Sequence, residues 1–185
     1  MFTYYEPDTA PEESKSIMEQ SQKSFGMIPN LHKILAEAPA TYETYNAAFS
    51  TFMHKTTLSP IEQQVVFMTA NFENNCHYCV PGHTWMMKSA KMPDAVIEAL
   101  REGTAIPDTK LQALHDFTKV LLDQRGHIGD DKLDVFLSAG FTKRQALEVL
   151  TGLASKLISN FTNALAHTEV DAAMQPYDWT RPSER

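Results

Sequence analysis

Asn74-Asn75-Cys76-His77-Tyr78-Cys79-Val80-Pro81-Gly82-His83 is the stretch on which the reading of this chain turns. It holds the only two cysteines in 185 residues, three apart, with a histidine four residues after the second. The asparagine pair predicts the end of one helix. Pro81 predicts the first turn of another beginning near Cys79, because the missing proline N–H costs nothing there. Residues three or four apart share a helix face, so Cys76, Cys79 and His83 can converge on one site. The free N–H groups of a helix start and a nearby imidazole both favour thiolate over thiol. Two such cysteines can also close a disulfide if the turn brings their Cα atoms within about 7 Å.

Outward from this stretch, every segment reads as helix. Ser59-Pro60-Ile61-Glu62 has the form of a capping box, and Val65, Val66, Met68, Thr69 and Phe72 mark a helix running to about Asn74. Before it, Tyr42, Tyr45, Phe49, Phe52 and Met53 repeat at helical spacing and are expected in the core. A short helix around residues 31–35 is predicted to end before Pro39. A first helix over roughly 10–25 is predicted from a second box, Thr9-Ala10-Pro11-Glu12, and is stopped by Gly26. Beyond the cysteines, Pro93-Asp94 opens a helix with Val96, Ile97 and Leu100, and Leu111, Leu114, Phe117, Val120 and Leu121 mark the next. A shorter helix covers 130–139. Thr142 with Gln145 caps a long one whose apolar residues, Leu147, Leu150, Leu153, Leu157 and Phe161 among them, continue to about Ala166. The tail from Gln175 reads as irregular. No alternating strand pattern is present, so the expected fold is all-α, with about seven to nine helices in a single domain over 1–185.

Charge and hydropathy narrow the function. Lys and Arg number 16 against 23 Asp and Glu, a net charge of −7 with no block of either sign, so no nucleic-acid partner is expected. No apolar run approaches about 18 residues, and the N-terminus lacks the basic and apolar regions of a signal peptide, so no membrane partner and a cytoplasmic location are expected. In a reducing compartment a close cysteine pair indicates redox or metal chemistry. A thioredoxin reading fails for want of strands. The pair could instead be two ordinary buried thiols. C-x2-C-x3-H offers three zinc ligands, but His77 is awkwardly placed to be a fourth, and His32, His54, His115, His127 and His167 lie on separate predicted elements. No metal or cofactor is expected.

Leu58-Ser59-Pro60-Ile61-Glu62-Gln63-Gln64-Val65-Val66, followed by Asn74-Asn75-Cys76-His77-Tyr78-Cys79 and His83, resembles the carboxymuconolactone decarboxylase/alkylhydroperoxidase D-like (AhpD-like) superfamily over about residues 40–103. That resemblance implies an all-helical fold, assembly as a homo-oligomer (trimer or hexamer) and, in the CxxC branch, a thiol-dependent peroxidase. It implies Cys79 as the peroxidatic nucleophile, Cys76 as the resolving thiol and His83 as the histidine that helps deprotonate the nucleophile. The implied partners are a hydroperoxide and a dithiol, lipoylated or thioredoxin-like reductant.

One position departs from the family. Gln64 stands twelve residues before Cys76, where the better-known peroxidases carry a glutamate of the proton relay, and glutamine holds a hydrogen bond without accepting a proton. Glu62 is a substitute candidate, but two positions along a helix is about 200° around it. Its other reading is as the third residue of the Ser59 cap. Glu73 is another candidate, three residues before Cys76. Two other functions fit the sequence: lactone decarboxylation, which needs no redox pair, and a non-catalytic oligomer using the pair as a redox sensor.

Overall fold

Caps and apolar spacing place the helices. The structure, a computed structural model, describes residues 2–185. Among the described residues nine α-helices follow in order: α1 Glu12–Phe25, α2 Asn30–Leu35, α3 Pro39–Lys55, α4 Pro60–Glu73, α5 Cys79–Ser89, α6 Asp94–Glu102, α7 Thr109–Asp123, α8 Asp130–Ser138 and α9 Lys143–Ala166. There is no strand among the described residues. The expected all-α class is therefore the observed one.

The capping boxes at Ser59 with Glu62 and at Thr142 with Gln145 both form, with the side chains answering each other's backbone N–H. The expected box at Thr9 does not. Thr9 Oγ1 accepts from Glu6 N and donates to Glu6 O, closing a turn upstream. Pro11 then becomes the residue before α1, with no side-chain cap.

Helix α4 is central: every residue from Glu62 to Asn71 is buried. It packs against α5, α6, α7 and α9, while α3 lies along α9. Close approach is possible because α9 carries Gly152 at the crossing. A Cβ there would stand 2.9 Å from both Phe52 and Val66. Two groups of buried apolar side chains result. The larger surrounds α4 and α7, with Phe52, Val66, Phe67, Leu114 and stacked Phe117, Phe136 and Phe141. The smaller, from α1 to α3, contains Met18, Leu31, Tyr42 and Tyr45 together with Cys76 and Cys79. Phe49 packs against both.

Periodicity locates α9 but not its inner face. Leu147, Leu150, Leu157, Phe161 and Leu165 point outward, whereas Gly152, Ser155, Lys156, Ser159, Asn160 and Asn163 are buried. The tail, read as irregular, contains two short 3-10 turns, Gln175–Tyr177 and Pro182–Glu184. Between them Trp179 is buried against Phe72 and donates through Nε1 to Arg101 O at 2.8 Å.

Candidate functional site

The cysteine turn is built by backbone geometry before any side chain acts. Asn74 ends α4, Asn75 takes a left-handed φ of 50°, and Cys76 N returns to Asn71 O at 2.9 Å. Helix α5 then starts at Cys79, as the proline predicted. The N–H of Cys79, one of the free donors of that helix start, points to Cys76 Sγ at 3.2 Å. Both cysteines are buried and unbridged. His77 and Tyr78, between them, face the C-terminal segment: His77 Nε2 meets Thr168 O at 2.9 Å, and Tyr78 donates its hydroxyl to Asp171.

Helix α9 supplies what surrounds the sulfurs. Asn163 Nδ2 donates to Cys79 Sγ at 3.2 Å, and Asn160 donates to Asn71 Oδ1 at 2.9 Å while accepting from Asn74. Asn163 Oδ1 is a buried acceptor with no protein partner. Lys156 is buried to 2% exposure, with Nζ 2.8 Å from His83 Nε2 and its charge acting on Cys79. His83 Nδ1 lies 2.8 Å from Gln64 Oε1. Because a carbonyl oxygen only accepts, Nδ1 carries the hydrogen and Nε2 offers its lone pair to Lys156.

These contacts sort the titrations. Burial alone would raise the Cys79 thiol. The hydrogen bond from Cys76, the Lys156 charge and the Asn160 and Asn163 amides outweigh it and hold Cys79 below its ordinary value. Cys76 is pushed up by burial, by donating its hydrogen to Cys79 and by the charge there. The pair is thereby differentiated: Cys79 is the more acidic thiol and Cys76 the less acidic. Burial, then the Lys156 charge, keeps His83 well below 6.5 and so neutral. Burial lowers Lys156 too, opposed by the two cysteines.

A cavity of about 50 Å³ opens beside Cys79, His83 and Lys156, walled by Phe25, Tyr45, Phe49, Trp85 and Met86. His32 also borders it. Buried, and 2.9 Å from the Tyr42 hydroxyl through Nδ1, it has its pKa lowered to about 3 by desolvation and stays neutral.

Of the residues singled out in the sequence, Cys76, Cys79, His83 and Gln64 meet at this site. His83 bonds to Lys156 and Gln64 rather than to Cys79, so both its ring nitrogens are engaged away from the sulfurs. Glu62 lies elsewhere, accepting from Ser59 N at 2.7 Å and pairing with Lys110 at 2.7 Å. Glu73 pairs with Lys119 at 2.7 Å. Among the described residues, no group of three or more His, Cys, Asp or Glu side chains is arranged to hold a metal. Lys156, Asn160, Asn163 and His32 were not assigned a role from the sequence. The one signal for the first three was several polar residues recurring every three or four positions on one face of an otherwise apolar helix.

No protein-family model and no curated protein matches the chain. Solved structures do. An uncharacterized peroxidase-related protein with an alkylhydroperoxidase AhpD core, from Ralstonia eutropha JMP134, superposes with a TM-score of 0.79 at 18% identity, covering 94% of this chain and 93% of that one. A peroxidase-related protein from Silicibacter sp. TM1040 gives 0.73 at 20% identity, over 92% and 88%. The debrominase Bmp8, in complex with 2,3,4-tribromopyrrole, gives 0.79 at 13% identity, over 95% and 94%. What these likenesses share with the helix order described above is the fold: the chain has an all-α fold like that of the AhpD core.

Proposed function

We propose that this chain is a thiol-dependent peroxidase of the CxxC type, reducing hydroperoxides in the cytoplasm at the expense of a dithiol, lipoylated or thioredoxin-like reductant. The observation that carries the reading is the differentiated pair: Cys79, held below its ordinary value by the hydrogen bond from Cys76, the Lys156 charge and the Asn163 amide, at the wall of an apolar cavity. Lys156, donating to His83, brings a positive charge and a proton to the site, and Gln64 fixes the His83 tautomer without taking a proton.

Cys79 sulfur attacks the outer oxygen of the hydroperoxide, the O–O bond breaks, and the departing alkoxide takes a proton from the Lys156–His83 pair, leaving Cys79 sulfenic acid and an alcohol. The unpartnered Asn163 Oδ1 offers the sulfenic hydroxyl an acceptor. Cys76 then condenses with the sulfenic sulfur, giving a disulfide and water, and the external dithiol reopens it by exchange.

The test is turnover of cumene hydroperoxide with a dithiol. Cys79→Ser is expected to abolish it. Cys76→Ser is expected to leave one turnover, stopping at a sulfenic acid that dimedone traps. Equal rates for wild type and Cys79→Ser would overturn the nucleophile assignment.

A second reading is favoured by the aromatic walls of the cavity and the likeness to a debrominase: reductive dehalogenation of a flat ring. There, two thiols and a bromoarene give the arene, a disulfide, bromide and a proton. Bromide release without hydroperoxide consumption would select it.

A further inference from the structure

Two cavities lie side by side near the thiols. The inner one, of about 50 Å³, is bordered by Cys79, His83 and Lys156. The outer one, of about 260 Å³, lies between α1 and α3, with Ser21, Ser24, Asn46 and Ser50 in its lining. Phe25, His32, Phe49 and Met86 border both, so the wall between the cavities is a single layer of side chains. A dry cavity that takes a benzene ring measures about 150 Å³. The inner space therefore admits a hydroperoxide group with a carbon or two, and the rest of any larger substrate has to cross the wall. Met86 is the unbranched, flexible member of that wall. Two polar groups along this path lack a partner in the chain. Ser21 Oγ is buried and unbonded, the nearby Tyr42 hydroxyl being taken by His32 instead. The His32 ring engages Tyr42 through Nδ1, and its Nε2 makes no hydrogen bond among the described residues. Desolvation, which lowers the His32 pKa to about 3, leaves the ring a neutral hydrogen-bonding group.

We propose that the two cavities form one binding site for an organic hydroperoxide that bears a second, uncharged oxygen function, a hydroxyl or a carbonyl. The peroxide group reaches Cys79, the carbon chain runs along Phe25, Phe49 and Met86, and the far oxygen is hydrogen-bonded by His32 Nε2 and Ser21 Oγ. The assignment rests on the peroxidase reading for the chemistry at Cys79, whereas recognition of the far oxygen stands on the two unbonded groups. No Asp, Glu, Lys or Arg lines the outer cavity. A carboxylate or phosphate at that end would lose its hydration with no Lys or Arg to meet it, so the uncharged function is the one that fits. A plain alkyl chain would leave both polar groups unbonded, and that cost is what discriminates against it.

The test compares kcat/KM for alkyl hydroperoxides, from butyl to octyl, with that for their ω-hydroxy counterparts, using the full chain and a dithiol. Wild type is expected to favour the ω-hydroxy hydroperoxide about 10-fold at the best-matched length, through KM rather than kcat. Ser21→Ala removes a hydroxyl that bonds to nothing in the chain, and it is expected to cut that preference several-fold. His32→Phe keeps a ring against Phe25 and Tyr45 and is expected to abolish the preference. Calorimetric titration with the matching primary alcohols and α,ω-diols repeats the comparison without turnover. The diols are expected to bind more tightly, against their greater affinity for water. Diols preferred by a chain that turns over no hydroperoxide uphold the site and overturn the peroxidase reading alone. Equal kcat/KM and equal affinity at every length, or a preference that survives both variants, overturns the proposal.

Discussion

Burying the Lys156 ammonium costs on the order of several kcal/mol in lost hydration, and a charged partner is what offsets it. Cys79 acts in that direction: the Lys156 charge lowers the Cys79 thiol, and the cysteines oppose the burial that lowers Lys156. Lys156→Met keeps the length of the side chain and removes the charge, so burial acts on Cys79 with less opposition. Only the thiolate is alkylated. The sign therefore runs upward: the wild-type iodoacetamide rate rises with pH below the ordinary thiol range of about 8.5, and the variant's limb moves to higher pH. Hydroperoxide turnover near neutral pH is expected to fall about 10-fold or more, and the melting temperature to drop, because buried His83 Nε2 loses its donor. Superimposable alkylation profiles would show that Lys156 does not act on Cys79.

At the scale of elements, the crossing of α9 over α3 and α4 decides where that lysine sits. Gly152 lies four residues before Lys156, and its missing side chain leaves room for Phe52 and Val66. Gly152→Ala gains helix propensity but overpacks the crossing, which costs about 1–3 kcal/mol where neighbours are fully buried. Phe52 and Val66 are both completely buried, so the net effect is expected to be destabilising, with a lowered melting temperature. Because α9 must shift outward, the alkylation limb of Cys79 is expected to rise in pH as well. A melting temperature equal to wild type would mean that the crossing is looser than the structure has it. The CxxC turn depends on the same helix, through the Asn71–Asn160–Asn74 contacts that hold the end of α4 to α9.

Across the whole molecule, the two groups of buried side chains share α3, α9 and Phe49, and the tail crosses back over α5 and α6. Met174 rests against Gly82, where a Cβ would meet its sulfur at 3.2 Å, and Trp179 is pinned to Arg101. A chain tied in this way is expected to unfold in one thermal transition, with calorimetric and van't Hoff enthalpies in agreement. Trp179→Ala is expected to lower stability by about 3–5 kcal/mol while keeping one transition. Two resolved transitions in calorimetry would divide the chain where the single-domain reading joins it.

The sequence by itself determined the helices and the position of the thiols. Capping at Ser59 and Thr142, the Asn74-Asn75 break and Pro81 in a first turn are local effects, decided within a few residues. Local order alone misled at Thr9, where the hydroxyl found the Glu6 backbone first. Glu62 was legible as a cap residue for the same local reason. What only the tertiary structure decided is which groups face Cys79. Asn163 reaches it from 84 residues away, and Lys156 reaches His83 from 73. An apolar period says that α9 is a helix but not which side turns inward. Here the polar side is buried, because the charge and amides it carries are satisfied by the thiols, His83 and the asparagines of α4, partners that exist only once the helices have packed.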